Sequence, residues 1–352
     1  MLNNKNALFK SKLFCKAYVS LFGAGRVKQG AYILEDLIRR FSGKKELTKK
    51  EINKLAAMVA NDYAVYGFQT DEFFIYDVMS LSDYGKSKFI TEGKSRWYFY
   101  DKLNKKENTV LFDDKSKTYE LFKKYYRRDI LVVSGESREA EFLDFVNKNP
   151  ELIIKPLGSS GGKGVRLFKD GDSFGELLKE YKEGFILEPK LKNDKSFAEF
   201  HEASLNTVRI VTVRLDDRTE IPYAFTRMGK NGGCIDNARA GGIMGLVDVE
   251  TGVIISASDE HNDHYIFHPN SGKQIVGFKI PRWDEAKAFV KELAEVVPDN
   301  RYTGWDVALT DNGWVMIEAN CKGQFVAQMP LKEGLKPKFD EYVRELENNK
   351  KN

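Results

Sequence analysis

Residues 152–168, LIIKPLGSSGGKGVRLF, set an apolar run ending in Lys155 against a loop with four glycines and a second apolar run. Glycine loops beside a lysine often face phosphate, because glycine tolerates positive φ and lets backbone N–H groups close on an anion. Two familiar devices fail by counting. A Walker loop needs Gly, four residues and then Gly-Lys-Ser/Thr at a helix start. From Gly158 the second glycine falls at Lys163, which is followed by Gly164. The dinucleotide pattern G-x-G-x-x-G fails as well, since Gly164 is followed by Val165, Arg166 and Leu167. Asp170, Gly171 and Asp172 end the second run as a turn, so the segment reads as strand, glycine loop, strand. In that arrangement the loop can fold over an anion as a lid, and Lys155 adds a charge-assisted contact. An ordinary surface hairpin has the same short pattern, so the rest of the chain must decide.

A chain of 352 residues has room for two or three domains and a large core. Its net charge of +4, without a basic stripe interleaved with aromatics, predicts no nucleic-acid partner. Cys15, Cys234 and Cys321 lie far apart with no metal-type spacing, which predicts no disulfide framework and a cytoplasmic location. Lys10, Lys12 and Lys16 interrupt every apolar run near the start, so no signal-peptide core is expected there, nor a membrane span anywhere. Phe9, Leu13 and Ala17 fall at helical spacing beside those lysines. Such a helix either packs on its own protein or touches a membrane surface weakly.

Helical patterns cover residues 30–66, broken at Ser42-Gly43; Thr48 and Glu51 form a capping-box pair, and Ile52, Leu55, Ala56 and Val59 make one apolar face. The lysine-rich DKLNKKEN marks a boundary near residue 108. After it, VLFDDKSKTYELFKKYYRRDI reads as a short strand and a helix, and AEFLDFVNKN as a second helix leading to the glycine hairpin. FGELLKEYKEG is a helix and FILEPKL a strand; SLNTVRIVTVRL, EIPYAFTRM and GLVDVETGVIIS are antiparallel strands. DEAKAFVKELAEVV is a helix, and GWDVALTDNGWVMIEAN a hairpin turning at Asp311-Asn312-Gly313. Segregated helices and antiparallel strands predict an α+β class. The expected divisions are a helical region over 1–108, a lobe with the glycine lid over 109–187, a second lobe over 188–335 and a charged tail over 336–352.

Asp306 lies on the outgoing strand of the last hairpin, and Glu318 and Asn320 on the return strand. Alternation places Glu318 and Asn320 on one face with Asp306 opposite them. Three oxygen ligands in mostly apolar strands suit Mg²⁺, which binds a few carboxylates and nucleotide phosphates. His261, His264 and His268 are irregularly spaced in a polar loop and are expected to be solvated. Cys321, beside Asn320, is expected to be a small near-site residue without a nucleophilic role.

Taken in order, DDKSKTYELF, LIIKPLGSSGGKGV, FILEPKL, SLNTVRIVTVR, TRMGKNGGCIDNARAGG, HPNSG and GWDVALTDNGWVMIEAN resemble the ATP-grasp ligases. Within them the resemblance is to the sugar-transfer-associated group related to glutamate ligases, over roughly residues 109–335. It implies an ATP-grasp fold, two α+β lobes holding ATP between them. It also implies that Lys115 and Lys155 hold ATP phosphates, and that Ser159, Ser160, Gly161 and Gly162 form the mobile lid. Glu188 and Leu191 match the strand that reads adenine, Lys190 adds backbone contacts, and Asp194 is placed for ribose. Arg227 and Asn237 match positions near the γ-phosphate and the acyl-phosphate side, and Asp306, Glu318 and Asn320 match ligands for one or two Mg²⁺ ions. Arg209 and Arg239 are candidates for a substrate carboxylate, Arg209 being equally suited to a structural ion pair. The family places an α/β domain ahead of the lobes, whereas residues 1–108 here are mainly helical in pattern.

The resemblance implies a ligase that joins a carboxylate to an amine through an acyl phosphate, forming ADP. Its sugar-transfer association points to a sugar acid or polysaccharide precursor as acceptor and an amino acid or small amine as donor. Addition of an amino acid to a peptide or protein terminus, phosphotransfer to a hydroxyl, and nucleotide binding without catalysis are the alternatives.

Overall fold

The computed structural model describes residues 48–135, 138–158, 164–231, 242–259, 263–323, 325, 327–331 and 333–350. The helices expected before residue 48 and the basic segment with Phe9, Leu13 and Ala17 lie outside them. Two compact units result: residues up to 102 together with those from 325 onward, and residues 103–324.

Among the described residues the first unit starts with α1 (Lys49–Tyr66). Its start is the expected capping box: Glu51 N donates to Thr48 Oγ1 at 3.3 Å and Thr48 N donates to Glu51 Oε2 at 2.9 Å. Gly67 ends it at φ 85°, a left-handed cap that glycine adopts without a Cβ clash. Helices α2 (Thr70–Ile75), α3 (Asp83–Ser87) and α4 (Arg96–Leu103) follow, and Phe68, Phe73, Phe89 and Phe99 supply the buried aromatic core.

The second unit begins with α5 (Lys106–Asp113) and α6 (Lys115–Tyr126). The strand expected at the start of VLFDD is instead helical, Val110 to Asp113 forming the second half of α5. Thr109 and Phe112 are its buried residues, and their spacing of three is that of a helix face. Asp114 caps α6, accepting from Ser116 N at 3.0 Å and Lys117 N at 3.3 Å. The chain then forms β1 (Leu131–Val133), α7 (Glu139–Lys148), β2 (Leu152–Pro156), β3 (Arg166–Leu167), α8 (Phe174–Glu180) and β4 (Phe185–Pro189). The strands make an antiparallel sheet in the order β1-β4-β2-β3. Phe142 of α7 and Phe174 and Leu177 of α8 pack with Val133, Ile154 and Phe185 to form its core. The expected strand, glycine loop, strand over 152–168 is the β2–β3 pair, and β4 runs across the lobe boundary drawn at 187/188.

After the short helix α9 (Lys195–Ala198) come β5 (Thr207–Arg214), β6 (Thr219–Met228), β7 (Ile243–Val247), β8 (Ile254–Ser258), α10 (Trp283–Val296), β9 (Tyr302–Thr310) and β10 (Gly313–Asn320). The six strands form one antiparallel sheet in the order β10-β9-β5-β6-β7-β8. Val208, Ile210, Trp305, Val307 and Met316 share a core with Phe122 and Tyr125 of α6 and Phe289, Val290 and Leu293 of α10. Strand alternation therefore turns Arg209 and Asp306 to the opposite face.

The chain returns to the first unit through α11 (Gln328–Leu331) and α12 (Lys336–Asn349). Phe325 stacks on Tyr100 at 5.9 Å, Phe339 meets Phe99 edge-on at 5.6 Å, and the Gln328 amide pairs with the Ile90 N–H and C=O at 2.8 and 2.9 Å. No helix among the described residues is long and apolar enough to cross a membrane.

Candidate functional site

A register shift organises the charged face of the six-stranded sheet. From the β9–β10 turn, Gly313 pairs with Thr310 and Met316 with Val307, but Glu318 then pairs with Asp306, leaving Ile317 as a bulge. Asn320 faces Gly304. Directly opposed residues point to the same side, so the bulge brings Glu318 and Asn320 onto the face of Asp306 and away from the helix-packed face of Met316. Bulges commonly re-aim side chains in this way.

The same register sets Arg209 of β5 opposite Asp306, and Arg227 of β6 opposite Thr207, two residues along the same face. Both arginines converge on the Asp306 carboxylate. Arg209 donates through Nε to Oδ1 and through Nη2 to Oδ2 at 2.6 Å, and Arg227 Nη1 donates to Oδ2 at 3.0 Å. Burial alone pushes the Asp306 carboxyl up, but the charges of Arg209 and then Arg227 outweigh it and hold the carboxyl below its usual range. Burial opposes the Arg209 charge, and Asp306 more than restores it. Of the two roles expected for Arg209, the structural ion pair is the one seen here: its guanidinium holds Asp306 through Nε and Nη2, a geometry that suits its planar fork.

Asp306, Glu318 and Asn320 offer two carboxylates and an amide rather than a closed metal cage, and among the described residues no three His, Cys, Asp or Glu side chains form one. Mg²⁺ needs little more, because it keeps waters and shares nucleotide phosphates. Asn320 Nδ2 is buried without a hydrogen-bond partner, and a half-turn of that amide puts its oxygen in the same place. Both Asp306 oxygens already accept from arginines, so the donor set fits Mg²⁺ through Glu318, Asn320 and the lone pairs that Asp306 retains.

The smaller sheet contributes cations. Lys155, at the end of β2, pairs with Glu188 Oε1 of β4, and Arg128 pairs with Glu188 Oε2 through Nη2 at 2.7 Å and Nε at 3.2 Å. Burial pushes Glu188 up, yet the charges of Arg128 and Lys155 prevail and hold its carboxyl down at about 2. The Glu188 side chain, expected near adenine, is thus committed to two cations. Lys115, the first residue of α6, donates to Pro156 O at 2.8 Å, where β2 runs into the glycine loop. Burial lowers its pKa; Glu318 nearby opposes the shift and Lys155 reinforces it. Lys115 therefore lies within the electrostatic reach of both sheets' functional residues.

Arg128 carries no motif and reads in sequence as one more basic residue at a helix end, so it was not expected here. The backbone N–H of Lys190 donates to Glu151 O at 2.9 Å; Leu191 beside it is half-buried. Asp194, expected to meet ribose, caps α9 with one carboxylate oxygen, Oδ1, which accepts from Ser196 N at 3.0 Å and Ser196 Oγ at 2.5 Å. Ser159, Ser160, Gly161, Gly162, Asn237, Arg239 and His261 lie outside the described residues. His268 is corrected from a solvated loop residue to a buried one, 1% exposed, with Nε2 2.8 Å from Gly229 O. Cys321 is buried, and burial pushes its thiol up to about 11, which removes it as a nucleophile at neutral pH.

Two antiparallel α+β lobes, one carrying a glycine hairpin with its lysine and the other a carboxylate hairpin, make up the ATP-grasp fold. Residues 173–344 match the family described as sugar-transfer associated ATP-grasp. No curated protein matches the chain. Among solved structures it is similar to the ATP-grasp ligase PsnB complexed with minimal precursor, Mg and ADP, at 14% identity and TM-score 0.43 over 70% of this chain and 62% of that one. It is also similar to the D-alanine-D-alanine ligase from Coxiella burnetii, at 11% identity and TM-score 0.41 over 68% and 58%. The N5-carboxyaminoimidazole synthetase from Staphylococcus aureus complexed with ADP gives 12% identity and TM-score 0.44 over 69% and 54%. The chain spans less than two thirds of the length of each.

Proposed function

We propose that the protein is an ATP-dependent carboxylate–amine ligase. The observation that carries this reading is the placement of Lys115, which donates to Pro156 O at the base of the glycine loop beside Lys155 and feels the charges of both Lys155 and Glu318, the residue across from Asp306. A triphosphate needs cations from one lobe and metal-holding carboxylates from the other, and the same charges serve a phosphoryl group in transfer. Bound Mg²⁺, held by Asp306, Glu318 and Asn320, would neutralise charge on the phosphate oxygens.

In the first step an acceptor carboxylate oxygen attacks the γ-phosphorus, the bond to the β-phosphate oxygen breaks, and ADP leaves. Lys115 and Lys155 hold the phosphates, and Arg227 approaches the γ-phosphate. In the second step the amine nitrogen attacks the acyl carbon, phosphate leaves with its electron pair, and the nitrogen gives up a proton. The acyl phosphate must be shielded from water between the steps, which is the role assigned to the glycine loop with Ser159, Ser160, Gly161 and Gly162. Asn237 and Arg239 lie on the acceptor side in this reading. The family's description favours a sugar acid or polysaccharide precursor as acceptor and an amino acid or small amine as donor.

Hydroxylamine distinguishes this from phosphotransfer to a hydroxyl. A mixed anhydride is captured as a hydroxamate, whereas a phosphorylated alcohol is not. Incubation with ATP, Mg²⁺ and a panel of sugar acids is expected to yield a hydroxamate with ADP. A stable phosphorylated product without free phosphate would replace the ligase by a kinase.

A further inference from the structure

The Glu188 carboxylate divides its two oxygens between two cations that differ in freedom. Lys155 takes Oε1 and has a side chain 20% exposed; Arg128 takes Oε2 and is 5% exposed. Arg128 is also fixed at its other end, where Nη1 donates to Tyr126 O at 3.0 Å and to Met316 O at 2.9 Å. Met316 is the last regular pair of β10 before the bulge that aims Glu318. One guanidinium therefore ties β4 of the smaller sheet to β10 of the larger one, beside each sheet's functional residues.

The arrangement has a consequence for phosphate binding. If Lys155 turns toward a triphosphate, it withdraws a charge from a carboxylate that is 8% exposed. A buried carboxylate left without a counter-charge is costly, so a Glu188 neutralised only by Lys155 would hold that lysine back. We propose that Arg128 is a positioning residue: it is the permanent counter-charge of Glu188, and it frees Lys155 to exchange Glu188 for the nucleotide phosphates. This inference rests on the ATP-binding reading of Lys155 above.

The test is calorimetric binding of a non-hydrolysable ATP analogue with Mg²⁺ to the full chain. R128M is expected to bind at least about tenfold more weakly than wild type, because Lys155 becomes the sole partner of Glu188. R128M/E188Q removes the carboxylate charge as well and is expected to bind at least about threefold more tightly than R128M. A purely structural role for Arg128 predicts no such rescue. Where R128M does not fold, R128Q, which keeps hydrogen-bonding capacity without the charge, carries the same comparison. A single variant that binds like wild type, or a double variant no better than the single, overturns the inference. Wild type that binds no analogue at all overturns the ATP-binding reading instead.

Discussion

Glu318 stands directly across the β9–β10 ladder from Asp306, although unbroken pairing from Met316 and Val307 would set it across from Trp305. The single extra residue, Ile317, thus decides whether Glu318 faces the helix-packed core or the charged face. If the pair holds Mg²⁺, removing one of its charges should act on metal-dependent binding and leave the fold alone. Glu318→Gln is expected to weaken binding of the Mg²⁺-loaded ATP analogue by about a hundredfold, while metal-free nucleotide binding and the melting temperature stay near wild type. Titrations with and without Mg²⁺ measure both terms, and equal loss in the two would remove Glu318 from the metal site.

Arg209 is the buried anchor of Asp306. Arg209→Met strips the bidentate partner and leaves Arg227 alone on the carboxylate. Breaking a buried pair from one side costs about 3–5 kcal/mol, which urea unfolding would detect as a fall in midpoint at constant slope. Addition of Asp306→Asn should recover part of that loss by removing the stranded charge. No recovery would mean that packing of the arginine stem, rather than the charge pair, sets its contribution.

Gly304 explains itself through the same pair. A Cβ at this position would lie 3.0 Å from Arg209 Cδ, 3.5 Å from Nη1 and 3.6 Å from Nε, so the arginine crosses the strand over a residue that has no side chain. Gly304→Ala is expected to shift Arg209 against Asp306 and cost about 1–3 kcal/mol, the usual range for overpacking a filled core. Thermal unfolding beside Arg209→Met checks the mechanism. The two losses should fall well short of additive, because both act on one contact.

The parts of this structure that were legible in sequence are those with a local physical cause. Thr48 and Glu51 announce a helix start because each caps the other, and the β2–β3 hairpin is legible because glycine separates two apolar runs. The grouping of Asp306, Glu318 and Asn320 was also anticipated, but strict alternation does not deliver it: only the bulge at Ile317 does, and no residue type there signals it. The pairing of Arg209 with Asp306 depends on β5 lying beside β9, 97 residues apart, a non-local register with no sequence signature. Arg128 is the extreme case. Its importance comes from Glu188 and Met316, which lie on different sheets, so nothing within its own segment distinguishes it from Arg127. The helix α5 was misread for the opposite reason: VLF has strand propensity, which tertiary burial of Thr109 and Phe112 overrides.

Glu72 makes the first unit sensitive to pH. Its carboxylate accepts from Gln69 N at 2.9 Å and from Glu92 N at 3.1 and 3.2 Å, tying the start of α2 to the segment before α4. Burial nevertheless raises its carboxyl from 4.5 to about 7, and the neighbouring Asp71 and Glu92 charges add to the shift. A group whose folded pKa lies above its unfolded value stabilises the fold fully below the unfolded value, and that contribution is lost as pH rises through the folded one. The relevant window therefore runs from about pH 4.5 to about pH 7, and stability should fall across it by on the order of 3 kcal/mol. Glu72→Gln keeps a side-chain carbonyl for the backbone donors but cannot ionise. Its melting temperature is expected to vary less than that of wild type between pH 5 and pH 8, with the two proteins diverging most at the alkaline end. Parallel melting curves across that range would show that Glu72 does not change its proton occupancy on folding.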